Sequence, residues 1–454
     1  MLEAFNIKGK LCSSGVLASL IIIALLVFET PDLQIDIKNH SNLYAYLYFF
    51  VKGLLPFVIL LILGWSGFFN RGAMKRWPVS FKLYFLSFLL FVLYAILPTS
   101  EHGYFLEYLK ILPRFALAVC IGAYLKNFSS WKLYEPLLWI ATAYFLIHIA
   151  LYVSIEMMFP GLNDWYDRLT GMLFLGRFIP TVHLDGHAFV QFRGVFGEPS
   201  NAAAFYGALS FVALGRYSLT GKYCYLYLCS ILLLAVVLTF SLAGYWGVTA
   251  SLLIGLFLVN QWIRKNCKLW YIIFMALFIF LSILRPALLL PQIQSVDSLN
   301  SEKISYVAGT HKILDPNKLQ KQGMDLSDGR LSLVSNAIES LVRYPLGIGV
   351  QNIISKPNLQ LGVTDLPSSA PFLWLVLLGI PGFILLLFRE SLVSKSIFSN
   401  PSAIVVIHFM AYLVYMIQNL SYGTWMTPMF FLLGLTVITS SEALQKITIK
   451  PNGI

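Results

Sequence analysis

The sequence predicts an all-α polytopic membrane protein of about twelve transmembrane helices with two large external loops, and three observations carry that expectation. The first is composition: 58% of the 454 residues are hydrophobic and only 12% are charged, whereas a soluble domain carries about 25% charge. Mean hydropathy is +0.75. A soluble surface could not cover so apolar a chain, so lipid is its solvent. A soluble enzyme, a nucleic-acid-binding module and a disordered scaffold are thereby excluded. The second observation is a series of apolar runs near 11–28, 43–68, 81–98, 107–125, 133–154, 200–215, 223–239, 244–262, 269–288, 369–388, 403–419 and 427–441. A span needs about 20 residues at 1.5 Å rise, so the shorter runs borrow from their flanks. The third is charge placement.

The formal charge is +11, and in a membrane protein basic excess reports topology. Lys8 and Lys10 precede the first run; Arg71, Lys75 and Arg76 follow the second; Lys126 and Lys132 follow the fourth; Arg216 and Lys222 follow the sixth. Arg264, Lys265 and Lys268 follow the eighth, Arg389 and Lys395 the tenth, and Lys446 and Lys450 the last. With twelve spans all of these fall on one side, and the opposite short loops hold almost no basic residues. Both termini are therefore expected in the cytoplasm. The first run is longer than a typical signal-peptide core and no small-residue cleavage site stands out before Thr30-Pro31, so it reads as a retained helix. All five cysteines fall in spans or on the cytoplasmic side, so neither a structural disulfide nor reactive-thiol chemistry is expected.

Two polar excursions interrupt the pattern, at 156–199 and 285–368, and both face outward on this topology. There is no internal repeat and no linker, so residues 1–454 read as a single membrane domain. In the first loop, Trp165-Tyr166-Asp167-Arg168, Met172-Leu173-Phe174-Leu175 and Arg177 suit a short helix in the membrane interface. His183, Asp185 and His187 then alternate, a spacing that puts them on one face of a strand. Three readings are open: a metal site, a solvated loop, or a polar site for a sugar or phosphate. Next comes Arg193-Gly-Val-Phe-Gly-Glu198-Pro-Ser-Asn. Pro199 suits the first turn of a helix with Glu198 or its neighbour at the cap, and the small residues Ala202–Ala204 let that helix pack closely. The alternative is a capped helix beside a snorkelling arginine.

The second loop ends in Asp328-Gly329-Arg330 and an amphipathic stretch over 330–343. Leu333, Ala337 and Leu341 keep helical spacing, as do Val334, Ile338 and Val342. Tyr344-Pro-Leu-Gly-Ile-Gly349 then forces a turn. Arg330 and Arg343 bracket this segment. With Arg193 they form an external basic group whose planar forks match phosphate oxygens. Lys110 and Arg114 lie one turn apart on the fourth span. A charge at mid-membrane costs about 2.5–3.5 kcal/mol or more, so Arg114 either snorkels or serves a function, and Lys52 poses the same question. His148 and His408 read as packed helix residues.

These features together resemble the Wzy-type O-antigen polymerases. The layout of spans and loops matches, the Arg193–Ser200 stretch resembles the start of their sixth span, and Arg330 through Gly349 and Leu378-Gly-Ile-Pro-Gly382 resemble segments shared with O-antigen ligases. The chain departs from the ligases at Leu366-Pro-Ser-Ser-Ala-Pro371, where they carry a histidine, and the first-loop arginine spacing is shorter than the polymerase pattern. The resemblance implies a bundle of the C-type glycosyltransferase class acting on undecaprenyl-diphosphate-linked glycans, both donor and acceptor, on the external face. It implies Glu198, Arg193 and Arg330 as catalytic residues, with Arg343, Arg114, Asp328, His187 and Arg177 as substrate-binding residues. Asp328 and His187 are second choices as base. Neither metal nor other cofactor is implied; a chain-length regulator is a candidate partner and nucleic acid is not. A lipid-linked-oligosaccharide flippase or other transporter is the competing class, although a transporter usually shows related halves. An O-antigen ligase is the third reading.

Overall fold

The computed structural model describes residues 14–29, 42–65, 77, 79–96, 111–152, 154, 179–184, 187–192, 196, 199–294, 338, 341–342, 344–347, 370–421 and 427–448. Among them are twelve helices: α1 Ser14–Glu29, α2 Asn42–Trp65, α3 Val79–Ile96, α4 Ile111–Asn127, α5 Trp131–Tyr152, α6 Pro199–Thr220, α7 Tyr223–Leu238, α8 Leu242–Asn266, α9 Lys268–Gln294, α10 Ala370–Ser399, α11 Ala403–Ser421 and α12 Pro428–Thr448. Each corresponds to one apolar run of the sequence. By length and composition α5, α8 and α11 are able to cross a membrane, and shorter apolar helices lie within α1, α2, α7, α9 and α12. Large apolar side chains face outward on several elements: Leu61 on α2, Ile147 on α5, Phe257 on α8 and Ile283 on α9 are all exposed. Apolar surface on that scale needs lipid rather than water against it.

Helix α6 is the axis of the bundle. From Ala202 to Leu214 every side chain is buried, and α6 packs on α7, α8 and α11. Its small residues allow that approach: a Cβ added at Gly244 of α8 would collide with Ala203 of α6. Pro199 is the first helical residue, where a missing N–H costs no hydrogen bond. A second group joins α3, α10 and α12, and α4 packs on α2.

Among the described residues one element is not helical. β1 (Ile179–Leu184) and β2 (His187–Gln191) form a two-stranded antiparallel hairpin closed by the Leu184–His187 pair. His183 pairs with Ala188, so His183 and His187 occupy register positions on opposite faces. This corrects the arrangement of His183, Asp185 and His187 along one face of a single strand, because the chain reverses between the two histidines. The hairpin is tied to the bundle where the Phe192 amide donates to the Leu238 carbonyl at the end of α7, at 2.8 Å. Phe192 is buried against Phe145, Tyr206 and His148, and Phe196 against Phe205 and Tyr206. These rings anchor the chain on both sides of Arg193.

Nine of the basic residues assigned to connections lie inside helices: Lys126, Lys132, Arg216, Arg264, Lys265, Lys268, Arg389, Lys395 and Lys446. Arg216 is in α6, where its guanidinium pairs with Glu135 at 3.0 Å and lies over Trp131. Arg389 and Lys395 belong to α10. Arg389 is buried, its guanidinium donating to the Glu390 carboxylate at 2.7 Å and lying over the Phe430 ring. The helix continues past the charge because Glu390 neutralises it and Tyr412 donates to the other Glu390 oxygen. Helix α9 likewise runs past Arg285 to Gln294. His408 is packed by Trp131 and Tyr134, and His148 by Tyr144 and Phe192, as side chains of the helix core. No disulfide links the described cysteines, and burial pushes the Cys267 thiol, between α8 and α9, up to about 12.

Candidate functional site

Helices α1 and α11 end, and helices α4, α6 and α12 begin, at the same end of the bundle, and a layer of polar side chains joins them there. Its centre is Glu29, the last residue of α1 and buried. Pro428 has no N–H to offer at the start of α12, so the next backbone donor, Met429 N–H, reaches Glu29 Oε1 at 3.3 Å. A carboxylate is stabilised there by the positive end of the α12 dipole. Tyr415 Oη of α11 donates to Glu29 Oε2, also at 3.3 Å. Arg114 of α4 and Lys52 of α2 both lie within electrostatic reach of this carboxylate, and the Lys52 ammonium sits 5.7 Å from the Phe28 ring centroid. A carboxylate removed from water needs such partners. Arg114 is therefore part of a charged cluster within the bundle rather than a lone snorkelling side chain.

The layer extends across α11 to α6. Tyr415, Gln418 and Asn419 share a face of α11 by their three- and four-residue spacing. Gln418 Nε2 donates to Asn201 Oδ1 at 2.7 Å, and Asn201 lies three residues after Glu198. Next to Gln418, the Asn419 side chain is 3% exposed, and neither its amide oxygen nor its nitrogen has a protein partner. Thr427 Oγ1, two residues before Met429, is likewise buried and unbonded.

A second junction brings together two stretches that the sequence separates by about 30 residues. Helix α10 is broken at Gly379 (φ 62°, ψ −158°), a conformation open essentially to glycine alone. The break frees the Ile380 amide from the helical ladder, and it donates to the Pro345 carbonyl at 2.9 Å. The turn that presents this carbonyl is closed by Gly347 N–H to Tyr344 O, at 2.8 Å. A Cβ at Gly379 would strike Pro345 O and Gly347 N, so the turn seats directly on the missing side chain. Pro381 follows, without an amide to restore the ladder. The turn after Arg343 is thus fixed to the kink of α10. Ile338, Leu341 and Val342 are helical, and the rest of 330–343 lies outside the described residues.

Of the residues expected in the site, Arg114 is placed in the Glu29 layer. His187 is placed by its backbone, opening β2. Glu198, Arg193, Arg330, Arg343, Asp328 and Arg177 lie outside the described residues, as does the interface helix expected over 165–177. The sequence reading missed Glu29, Tyr415, Gln418 and Asn419. Glu29 lies one residue past the first apolar run, and the other three fall inside the eleventh run, where no motif marks them. Among the described residues no group of three His, Cys, Asp or Glu side chains gathers as a metal site.

Residues 227–387 match the model of a family described as O-antigen ligase. That is about a third of the chain, and it runs from α7 into α10, so it contains both the Tyr344–Gly347 turn and the kink that receives it. The match supports the O-antigen ligase and polymerase superfamily without separating the two activities. No curated protein and no solved structure matches the chain.

Proposed function

We propose that the protein is a membrane glycosyltransferase that polymerises undecaprenyl-diphosphate-linked oligosaccharide repeats into a surface polysaccharide, on the external face of the bacterial inner membrane. The observation that carries this reading is the family match over 227–387, with its two motif segments docked on each other at the kink of α10. In the proposed reaction an acceptor hydroxyl oxygen bonds to the anomeric carbon of the donor glycan. The bond from that carbon to the lipid diphosphate breaks, and Glu198 takes the hydroxyl proton. Arg193, Arg330 and Arg343 hold the diphosphates and stabilise the charge that develops on the leaving group. Confining both substrates to one leaflet supplies proximity. Three arginines bring the positive charge a divalent ion would otherwise provide, so polymerisation is expected to continue in a strong chelator.

The family description favours a second reading, transfer of finished glycan to a lipid acceptor by a ligase. The segment Leu366–Pro371 contains no histidine, which favours the polymerase. A null strain separates them. Surface glycan bearing a single repeat supports the polymerase. Lipid-linked polymer accumulating beside unmodified surface acceptor overturns it in favour of the ligase.

A further inference from the structure

The polar layer around Glu29 contains two groups whose hydrogen bonds go nowhere in the protein. Asn419 is 3% exposed, and both ends of its amide are unbonded. Thr427 Oγ1, at the start of the next helix, is buried and unbonded too. A buried polar group left unpaired costs roughly 1–3 kcal/mol, and such groups are uncommon in folded proteins. Both belong to the end of the bundle that holds the Glu29 layer: Asn419 follows Gln418 near the end of α11, and Thr427 directly precedes Pro428 at the start of α12. The residues beside them are satisfied: Tyr415 by Glu29, and Gln418 by Asn201 at the head of α6.

We infer that Asn419 and Thr427 form a saccharide-binding subsite at this end of the bundle, taking hydroxyl groups of the oligosaccharide whose transfer is proposed above. The chemistry is specific. A primary amide offers a donor and an acceptor side by side, which matches two neighbouring hydroxyls of a sugar ring, and a threonine hydroxyl gives or accepts one bond more. A fully ionised phosphodiester, which only accepts, would use the amide nitrogen and leave the amide oxygen unpaired. Asn201 ties the subsite to the segment that holds Glu198, three residues earlier in the chain. The inference rests on the proposed reaction for the identity of the sugar.

The test uses the full-length protein in detergent. Its probes are the lipid-linked oligosaccharide extracted from a null strain and the water-soluble oligosaccharide released from it by mild acid. Wild type is expected to gain thermal stability with the soluble oligosaccharide. Asn419→Leu keeps the volume and removes the unpaired amide, so its melting temperature without ligand should equal or exceed wild type. It should bind the oligosaccharide roughly ten- to a hundredfold more weakly, the loss expected of two neutral hydrogen bonds. Thr427→Val should show a smaller loss in the same direction, and it serves as the readout if Asn419→Leu does not fold. Wild-type affinity in both variants, or no oligosaccharide response in wild type, overturns the subsite. If wild type binds the oligosaccharide through Asn419 but forms no polymer from the lipid-linked form, the subsite stands and the polymerase reading fails. If wild type polymerises and the variants bind and polymerise as it does, the polymerase stands and the subsite falls.

Discussion

Arg389 and Glu390 show what a charge requires inside this bundle. The two are adjacent in sequence, Arg389 buried and Glu390 partly so, and the pair is completed by Tyr412 and the face of Phe430. Removing one partner leaves the other uncompensated, at about 3–5 kcal/mol, whereas replacing both with apolar residues of similar volume is often neutral. Arg389→Met should therefore lower the melting temperature and membrane yield strongly, and Arg389→Met/Glu390→Met should restore most of both, read by fluorescence-detected gel filtration across a temperature ramp. A double variant as unstable as the single one would show that the pair does more than neutralise itself. The external arginines are expected to behave differently. Arg330→Lys keeps the charge but loses the fork. At roughly 1.5–3 kcal/mol for a charge-assisted contact, the rate should fall about ten- to a hundredfold. Arg330→Ala should fall further, and Glu198→Gln should abolish polymer or sharply reduce it, all at normal membrane level. Full-length polymer from both Arg330→Ala and Glu198→Gln would remove these two residues from the site.

At the scale of elements, twelve apolar runs became twelve helices because backbone polar groups in lipid must be satisfied within the segment. Helix ends were less legible. A hydropathy pattern stops at the first charge, but the hydrogen-bond ladder of α10 does not stop at Arg389, because Glu390 is its neighbour. The hairpin was legible in part: Asp185-Gly186 between Leu184 and His187 is a two-residue turn signal, passed over because the alternating histidines suggested one strand. The Glu29 layer was not legible. Its bonds join residues 386 and 217 positions apart, and no local spacing encodes them. The kink of α10 was visible as Gly379 and Pro381, but its role in receiving the Tyr344–Gly347 turn was not. Gly379→Ala should destabilise the protein by about 1–3 kcal/mol from backbone conformation alone, and more from collision with the turn. It should also reduce polymer beyond what its melting temperature explains, because the turn following Arg343 loses its seat. Polymer yield that simply tracks folded protein would make the junction a matter of stability only.

For the whole molecule, the alternation of helices puts Lys126, Lys132, Arg216, Lys222, Arg264, Lys265 and Lys268 at one end of the bundle and the Glu29 layer at the other. If the basic end is cytoplasmic, as the positive-inside rule predicts, the Glu29 layer is expected on the outer side, where the proposed reaction takes place. Reporter fusions at Lys222 and Lys265 should read cytoplasmic, and fusions at Asn163 and Asn317 external. An external signal at Lys265 would reverse the placement of the second loop and of every residue proposed to act from it. The most direct measurement of the central claim is reconstitution: purified protein in liposomes, supplied only with lipid-diphosphate-linked single repeats, and the products resolved by size. A glycosyltransferase of the proposed kind yields a ladder of lipid-linked glycans rising by one repeat at a time, with free lipid diphosphate released in step. Single repeats that remain uncoupled, whether left in place or moved across the bilayer, would contradict it.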